Sequence, residues 1–345
     1  MSIFASETKN QHYVSQVEQR ANASNKNASN KNQEIFKYTR VDGGQFDEGK
    51  CVKISTNQSD FDLFTLAKKD SQRKNLENLM GNLESDYLTI VDKIEKSCEN
   101  HKNGNELFFT EIEDIKKILE LKFLTRFRNP YLIKKTLRLI SFTTNFILDD
   151  DRHLEALIAL HKAENNIDFL SKKYGVTKDE YISWLNTLVG LLLPIKGGSL
   201  LSGMVNEFFE ASEFGKKVFI YYYHTDCVLL PDCGTLDIEE SDMITYGFNL
   251  TSKIFILLAM PICKDIGLFK VKKRSEPEMK QLINDLKAEC PDITDEDIQC
   301  YLEVEKQFNA KTSITYLGNN IQMLDAFNLG VKRISKQYYF SSKIS

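Results

Sequence analysis

No apolar stretch in this chain is long enough to cross a membrane. The longest, LVGLLLP (188–194) and IFILLAMPIC (254–263), fall short of the ~20 residues that a bilayer-spanning helix requires. The opening MSIFASETKNQH has neither the basic start nor the apolar stretch of a secretory signal. Paired cysteines are missing as well. The seven cysteines (51, 98, 227, 233, 263, 290, 300) are odd in number and scattered, and none forms Cys-x-x-Cys. They are expected to be reduced thiols rather than disulfides or zinc ligands. The expected compartment is therefore the cytoplasm, where sequons such as Asn22-Ala23-Ser24 carry no glycan. Basic charge is not in excess either: 45 Lys and Arg face 49 Asp and Glu, a net charge of −4. That excludes a protein coating nucleic acid over its whole surface and leaves room for a local basic groove.

Several catalytic signatures are also lacking. IKGGSLLSG has glycines before a helical stretch but no Gly-Lys-Ser/Thr, so it reads as a loop and not as a phosphate-binding P-loop. Pro231-Asp232 and Glu278-Met279-Lys280 can be forced into a nuclease pattern. However, the Glu-Met-Lys lies 46 residues on in a helical stretch, where such a core needs a nearby strand. His153 and His161 are two helical turns apart, too far to share a zinc without a third ligand. No Gly-x-Ser-x-Gly elbow is present.

What remains is an ordinary globular balance in 345 residues, 42% hydrophobic and 27% charged, enough to bury a substantial core. NASNKNASNK (22–31) repeats a five-residue unit and reads as a mobile, solvated loop after the aromatic, β-branched QHYVSQ, which is expected to pack against late strands. EIFKYTR (34–40) and KCVKIST (50–56), joined through VDGGQFDEG, predict a β-hairpin. From residue 60 the period reads as helical. Leu76, Leu79, Met80, Leu83, Tyr87, Ile90, Val91 and Ile94 line one face of a long helix over 71–100, and 108–127, 130–148, 151–175, 177–194 and 203–215 follow as further helices. Pro130 suits a helix start and Gly175 a helix end. The segment 216–231 returns to β character, 244–262 reads as a pair of strands, 275–289 and 294–329 as helices, and QYYFSS (337–342) as a last strand.

These elements predict an α+β protein. A small mixed or antiparallel sheet is built from N-terminal and C-terminal strands, with a large helical block inserted between. The expected organisation is 1–59 as an N-terminal segment with a hairpin, 60–215 as the helical block, and 216–345 as hairpins and helices that pack with 1–59 as one domain.

Five short motifs occur in a telling order. NQHYVSQ opens the chain, Leu76-Glu77 and Glu84 follow in NLENLMGNLES, and Arg128-Asn129-Pro130 starts the next pattern. Thr225 and Asp226 stand in HTDCVLLP, and Phe248 to Thr251 lead into IFILLAMP. In this order they resemble a large bacterial family with an HYVPQ opening, a domain of unknown function numbered four-two-three-eight. The resemblance runs over roughly residues 10–340. It departs at Ser15, where the family has proline, and at the strand end, where Pro231 comes late. It implies architecture and candidate positions, with no reaction attached.

Three features suggest chemistry. His12 is a general base or metal ligand in one reading and a cap for a neighbouring element in the other. Asp226 shares a strand face with His224 at a strand end, where it could hold a metal or orient an imidazole, or simply start a turn. From Leu121 to Leu148 the chain has no acidic residue but has Lys122, Arg126, Arg128, Lys134, Lys135 and Arg138. That tract suits a phosphate, a nucleotide or nucleic acid; the plainer reading is a solvated helix face. The expected site gathers His12, Glu84, Arg128 and Asp226, the carboxylates holding a divalent cation, with Arg126, Lys134 and Lys135 toward phosphate. The expected function is an intracellular bacterial effector, a nuclease-like or other phosphate-substrate hydrolase, with host defence suggested by analogy. The alternative is a non-catalytic sensor that acts with a partner protein.

Overall fold

The computed structural model of the chain describes residues 2–69, 72–102, 112–140, 150–162, 166–194, 198–210, 216–240, 243–261 and 312–344, with scattered positions between 277 and 298. Its strands are β1 (Asn10–His12), β2 (Glu34–Thr39), β3 (Lys50–Lys53), β4 (Ser59–Phe61), β5 (Thr65–Lys69), β6 (Gln72–Asn75), β7 (Lys216–Tyr222), β8 (Leu230–Pro231), β9 (Leu236–Glu240), β10 (Met243–Thr251), β11 (Ile254–Pro261), β12 (Thr312–Gly318) and β13 (Tyr338–Ser341). Its helices are α1 (Gln16–Ala21), α2 (Glu77–Glu84), α3 (Tyr87–Lys102), α4 (Ile112–Phe127), α5 (Ile133–Leu139), α6 (Asp151–Lys162), α7 (Ile167–Tyr174), α8 (Lys178–Leu192), α9 (Leu200–Glu210) and α10 (Ile321–Ile334). Among the described residues no helix is long and apolar enough to cross a membrane.

The class is α+β, and early and late strands do share a sheet. β2 and β3 form the expected hairpin, and β13 adds to β2, giving the order β3-β2-β13-β8. A second, five-stranded sheet has the order β12-β7-β11-β10-β9. Its pairs are antiparallel except β12 with β7, which run parallel.

That second sheet is covered on both faces, and the period of two in β7 shows how. Val218, Ile220 and Tyr222 belong to the large core shared with the helices. Phe219 and Tyr221 point the other way, into a core with Leu324, Phe327 and Val331 of α10. Alternate residues of a strand face opposite sides. A central strand with both faces buried must then be apolar throughout, which accounts for the run IFILLA in β11.

The helices are held at their ends by recognisable caps. Thr177 and Glu180 make a reciprocal capping box at the start of α8. Gly175 ends α7 in the left-handed conformation. Trp184 of α8 is fully buried and donates its indole N–H to the Phe127 carbonyl at 2.7 Å, while Tyr181 donates to the Leu63 carbonyl at 2.7 Å. These bonds fix the helical block to the end of α4 and to the loop before β5.

Three expected elements differ. Residues 59–61, 65–69 and 72–75 are strands and not the lead of a helix: β4 pairs with β1 and β5 with β6. Gln58 and Asp62 have positive φ, so the chain turns sharply where a helix would continue. The helix expected over 71–100 is two, α2 and α3, separated at Ser85 and Asp86. Residues 312–318, expected as helix, form β12; the helices expected over 275–289 and 294–311 lie largely outside the described residues. The repeat also departs from a wholly solvated loop. In its first copy Asn22 and Ala23 are buried, and Ala23 packs with Ile35, Ile54, Leu230 and Phe340. Asn25 closes the loop, accepting from the Glu34 N–H at 2.8 Å and donating to the Asn32 carbonyl at 3.0 Å.

Candidate functional site

The N-terminal segment is pinned by its own backbone. β1 pairs with β4, His12 lying opposite Ser59, while Tyr13 and Val14 are buried. The segment was expected against the late strands; its strand partner is instead the early β4. Its link to the late sheet is made by α1, where Asn22 and Asn249 of β10 exchange side-chain hydrogen bonds at 2.9 Å. Ser15 caps α1 by accepting from the Val17 N–H. A proline there would have no such side-chain acceptor.

α1 places Gln16 and Arg20 one and two turns beyond His12, and the three side chains form a chain of hydrogen bonds. His12 Nδ1 lies 2.9 Å from the Asn57 carbonyl oxygen. A carbonyl only accepts, so Nδ1 carries the proton and Nε2 is left to accept from the Gln16 amide at 2.7 Å. The Gln16 carbonyl oxygen in turn accepts from Arg20. Burial, aided by the guanidinium groups of Arg128 and Arg20, lowers the His12 pKa to about 4 against two backbone hydrogen bonds. His12 is thus neutral at pH 7 with both ring nitrogens engaged. It orients Gln16, and through it Arg20.

Arg128 enters from the other side. It follows the last turn of α4, its N–H still bonded to the Leu124 carbonyl at 2.9 Å. Asn129 then caps a single turn at Pro130–Leu132 and ties it to β8 through the Asp232 carbonyl at 2.8 Å. Arg128 is 1% exposed. Its Nε donates to the Tyr13 carbonyl at 3.2 Å and Nη1 to Glu84 Oε1 at 2.8 Å. Nη2 is buried without a partner among the described residues, as is Nε of Arg20. Glu77 and Glu84 stand seven residues apart on α2, on one helical face. Burial pushes the Glu77 carboxyl up to about 7, with Arg128 opposing and Glu84 adding to the shift.

No family model matches this chain, and no curated protein or solved structure matches it either. The family resemblance therefore rests on its motifs alone.

Of the expected site residues, Arg128 and Glu84 are in direct contact, and His12 lies within the electrostatic influence of Arg128. Asp226 is engaged by a different partner: its carboxylate accepts from the hydroxyl of Ser252, at the turn between β10 and β11. Arg126 is engaged by Asp237 and donates to Thr235 at 2.9 Å. Lys134 and Lys135 are exposed on α5. Among the described residues no group of three or more His, Cys, Asp or Glu is gathered as metal ligands. Cys51, Cys227 and Cys233 are free thiols.

Sequence reasoning missed Gln16 and Arg20, and named Glu77 in a motif but left it out of the expected site. Their signal was spacing: positions 12, 16 and 20 advance by one helical turn, and Glu77 precedes Glu84 by two. Asp232 was weighed only within a nuclease pattern that was set aside. This buried carboxylate accepts the N–H groups of Lys336, Gln337 and Tyr338 at 2.7 to 2.9 Å, so it anchors the start of β13 and has little left to offer a ligand.

Proposed function

We propose that this chain binds a phosphate-bearing ligand between α1, α2 and the end of α4, and hydrolyses it with Glu77 moving the proton. The observation that carries this reading is the pair of buried guanidinium N–H groups, Arg20 Nε and Arg128 Nη2, that have no partner among the described residues. An unmet buried donor is costly, and two on cations sharing the influence of Glu84 and His12 suit an anionic oxygen. A carboxyl that titrates near 7 can take a proton from an attacking water and return it to a leaving oxygen. The arginines would hold charge on the phosphoryl oxygens. Lys134, Lys135 and Arg138, exposed and without acidic partners among the described residues, extend the positive surface after Arg128 and favour a nucleotide or nucleic acid as ligand. A nuclease-like effector in a bacterial cell is the fuller form of this reading, and its place in host defence is an analogy.

A second reading is a sensor that binds the same ligand without turning it over. The engagement of both His12 nitrogens favours it, because the residue best suited to proton transfer is already committed. One experiment separates the two. Wild type, Arg20→Gln and Glu77→Gln are titrated with a panel of nucleotides, and phosphate release is followed. Hydrolysis predicts that Arg20→Gln weakens binding, and that Glu77→Gln binds normally but releases no phosphate. A sensor predicts binding and no release from any of the three. No binding by wild type removes both readings.

A further inference from the structure

A second site lies away from those arginines, where α2, α3, α4 and α9 enclose a pocket of about 270 Å³. One wall is apolar, from Leu83, Tyr87, Ile90 and Ile118. Of the charged residues that line it, Glu120, 9% exposed, is the one without an ion pair among the described residues. We propose that this pocket binds a small compound with a primary ammonium group and an apolar body, the ammonium seated on the Glu120 carboxylate.

The chemistry follows from what Glu120 lacks. Its one hydrogen bond among the described residues comes from the Ser202 hydroxyl, 3.0 Å from Oε2. Two cations lie within helical reach on α4, Lys116 at i−4 and Lys117 at i−3, and each is paired elsewhere. Lys116 bonds to Glu113 at 2.8 Å and Lys117 to Asp86 at 2.9 Å. Those two ion pairs neutralise the rim of the pocket, so the formal charge remaining inside it is that of Glu120. A carboxylate removed from water with a single neutral donor is poorly compensated. Burial raises its pKa, and the Ser202 hydrogen bond and the nearby charges of Lys117 and Lys116 only partly oppose the shift. A ligand ammonium would supply three donors and a charge, and the apolar wall would cover the rest of a small molecule.

The test is calorimetric titration of the full chain with phenethylammonium. The proposal predicts saturable binding that weakens at least tenfold in Glu120→Gln. That variant keeps the side-chain shape and an acceptor for Ser202, and its melting temperature is measured alongside. Phenethyl alcohol, the same body with a hydroxyl, should not compete. Affinity should rise with pH as Glu120 ionises. If Glu120→Gln fails to fold, Leu83→Trp, which fills the pocket from its half-exposed side, must abolish binding instead. No binding by wild type, equal binding by a folded Glu120→Gln, or equal binding of the alcohol would overturn the proposal.

Discussion

Replacing Glu18 by Gln removes the charge from one half of an ion pair whose side chains are both wholly buried. Lys122 Nζ lies 2.5 Å from Glu18 Oε1, and the Thr125 hydroxyl donates to Oε2 at 2.6 Å. The Tyr87 ring lies 5.6 Å from the same ammonium. Gln conserves volume, so no cavity opens, and the change is electrostatic. Breaking a buried pair by neutralising one partner typically costs about 3–5 kcal/mol. The new amide oxygen still accepts from Lys122, which puts the expected loss at the lower end, about 3 kcal/mol. The cost belongs to the stranded ammonium, so neutralising it too should help: Glu18→Gln with Lys122→Met is expected to recover at least half of the loss. Urea unfolding followed by the fluorescence of Trp184, the single tryptophan of the chain, measures both, and an unchanged slope shows that stability alone has moved. A loss below about 1 kcal/mol, or a double variant as unstable as the sum of its parts, would refute the reasoning. The pair matters for the site because Glu18 stands between Gln16 and Arg20 on α1. Its bond to α4 fixes where Arg20 sits relative to Arg128.

Stability should also respond to pH through two groups of opposite sense. The Glu77 pKa is raised to about 7, so its contribution is complete below its ordinary value of 4.5 and is lost as pH climbs through 7. Glu77→Gln should therefore gain on wild type between pH 5 and 8 in a melting-temperature series, and a constant difference would contradict this. The His12 pKa is lowered to about 4, so its contribution is present above 6.5 and lost as pH falls toward 4. His12→Gln should lessen the acid sensitivity of the fold over that window, and an unaltered acid limb would contradict it. Gly234 has φ +76°, and a methyl there would meet the Lys122 carbonyl oxygen. Gly234→Ala is expected to cost about 2 kcal/mol or more in urea unfolding, and a neutral substitution would show that this approach can relax. Deleting one NASNK unit leaves an Asn-Ala at 22–23 and should change stability by less than about 0.5 kcal/mol. Ala23→Asp, which buries a charge among Ile35, Ile54 and Phe340, should cost several times that; equal effects would mean that Ala23 is no anchor.

The elements legible in the sequence were those whose local chemistry and tertiary setting agree. EIFKYTR and KCVKIST flank a glycine turn and pair as β2 and β3. Thr177, Glu180 and Gly175 mark helix ends that occur where those residue types predict. The stretch DFDLFTL was misleading because Leu63 and Leu66, both buried, repeat at a helical interval. Short strands with turns between them can produce the same spacing, and only the positive φ at Gln58 and Asp62 separates the cases. TSITYLG alternates as a strand should, but the strong period of 321–334 next to it drew it into a helix. At the site, Arg128 and Glu84 could be named from the sequence but not paired, since 44 positions separate them. Asp226 stands in the connection after β7, near the strand end as read, yet it serves Ser252, because the β10–β11 turn brings that hydroxyl to it. Side-chain direction at the end of a strand depends on what the neighbouring turn presents, and no local pattern encodes that.

The most direct test of the phosphate site is nuclear magnetic resonance of the arginine Nε–H groups during titration with inorganic phosphate. Arg20 Nε–H has no partner among the described residues, whereas Arg73 Nε–H already donates to Asp62 at 2.8 Å and serves as an internal control. The account predicts a saturable shift of the Arg20 resonance that the Arg73 resonance does not share. An Arg20 signal that stays fixed, or one that drifts together with Arg73 as salt is added, would contradict it.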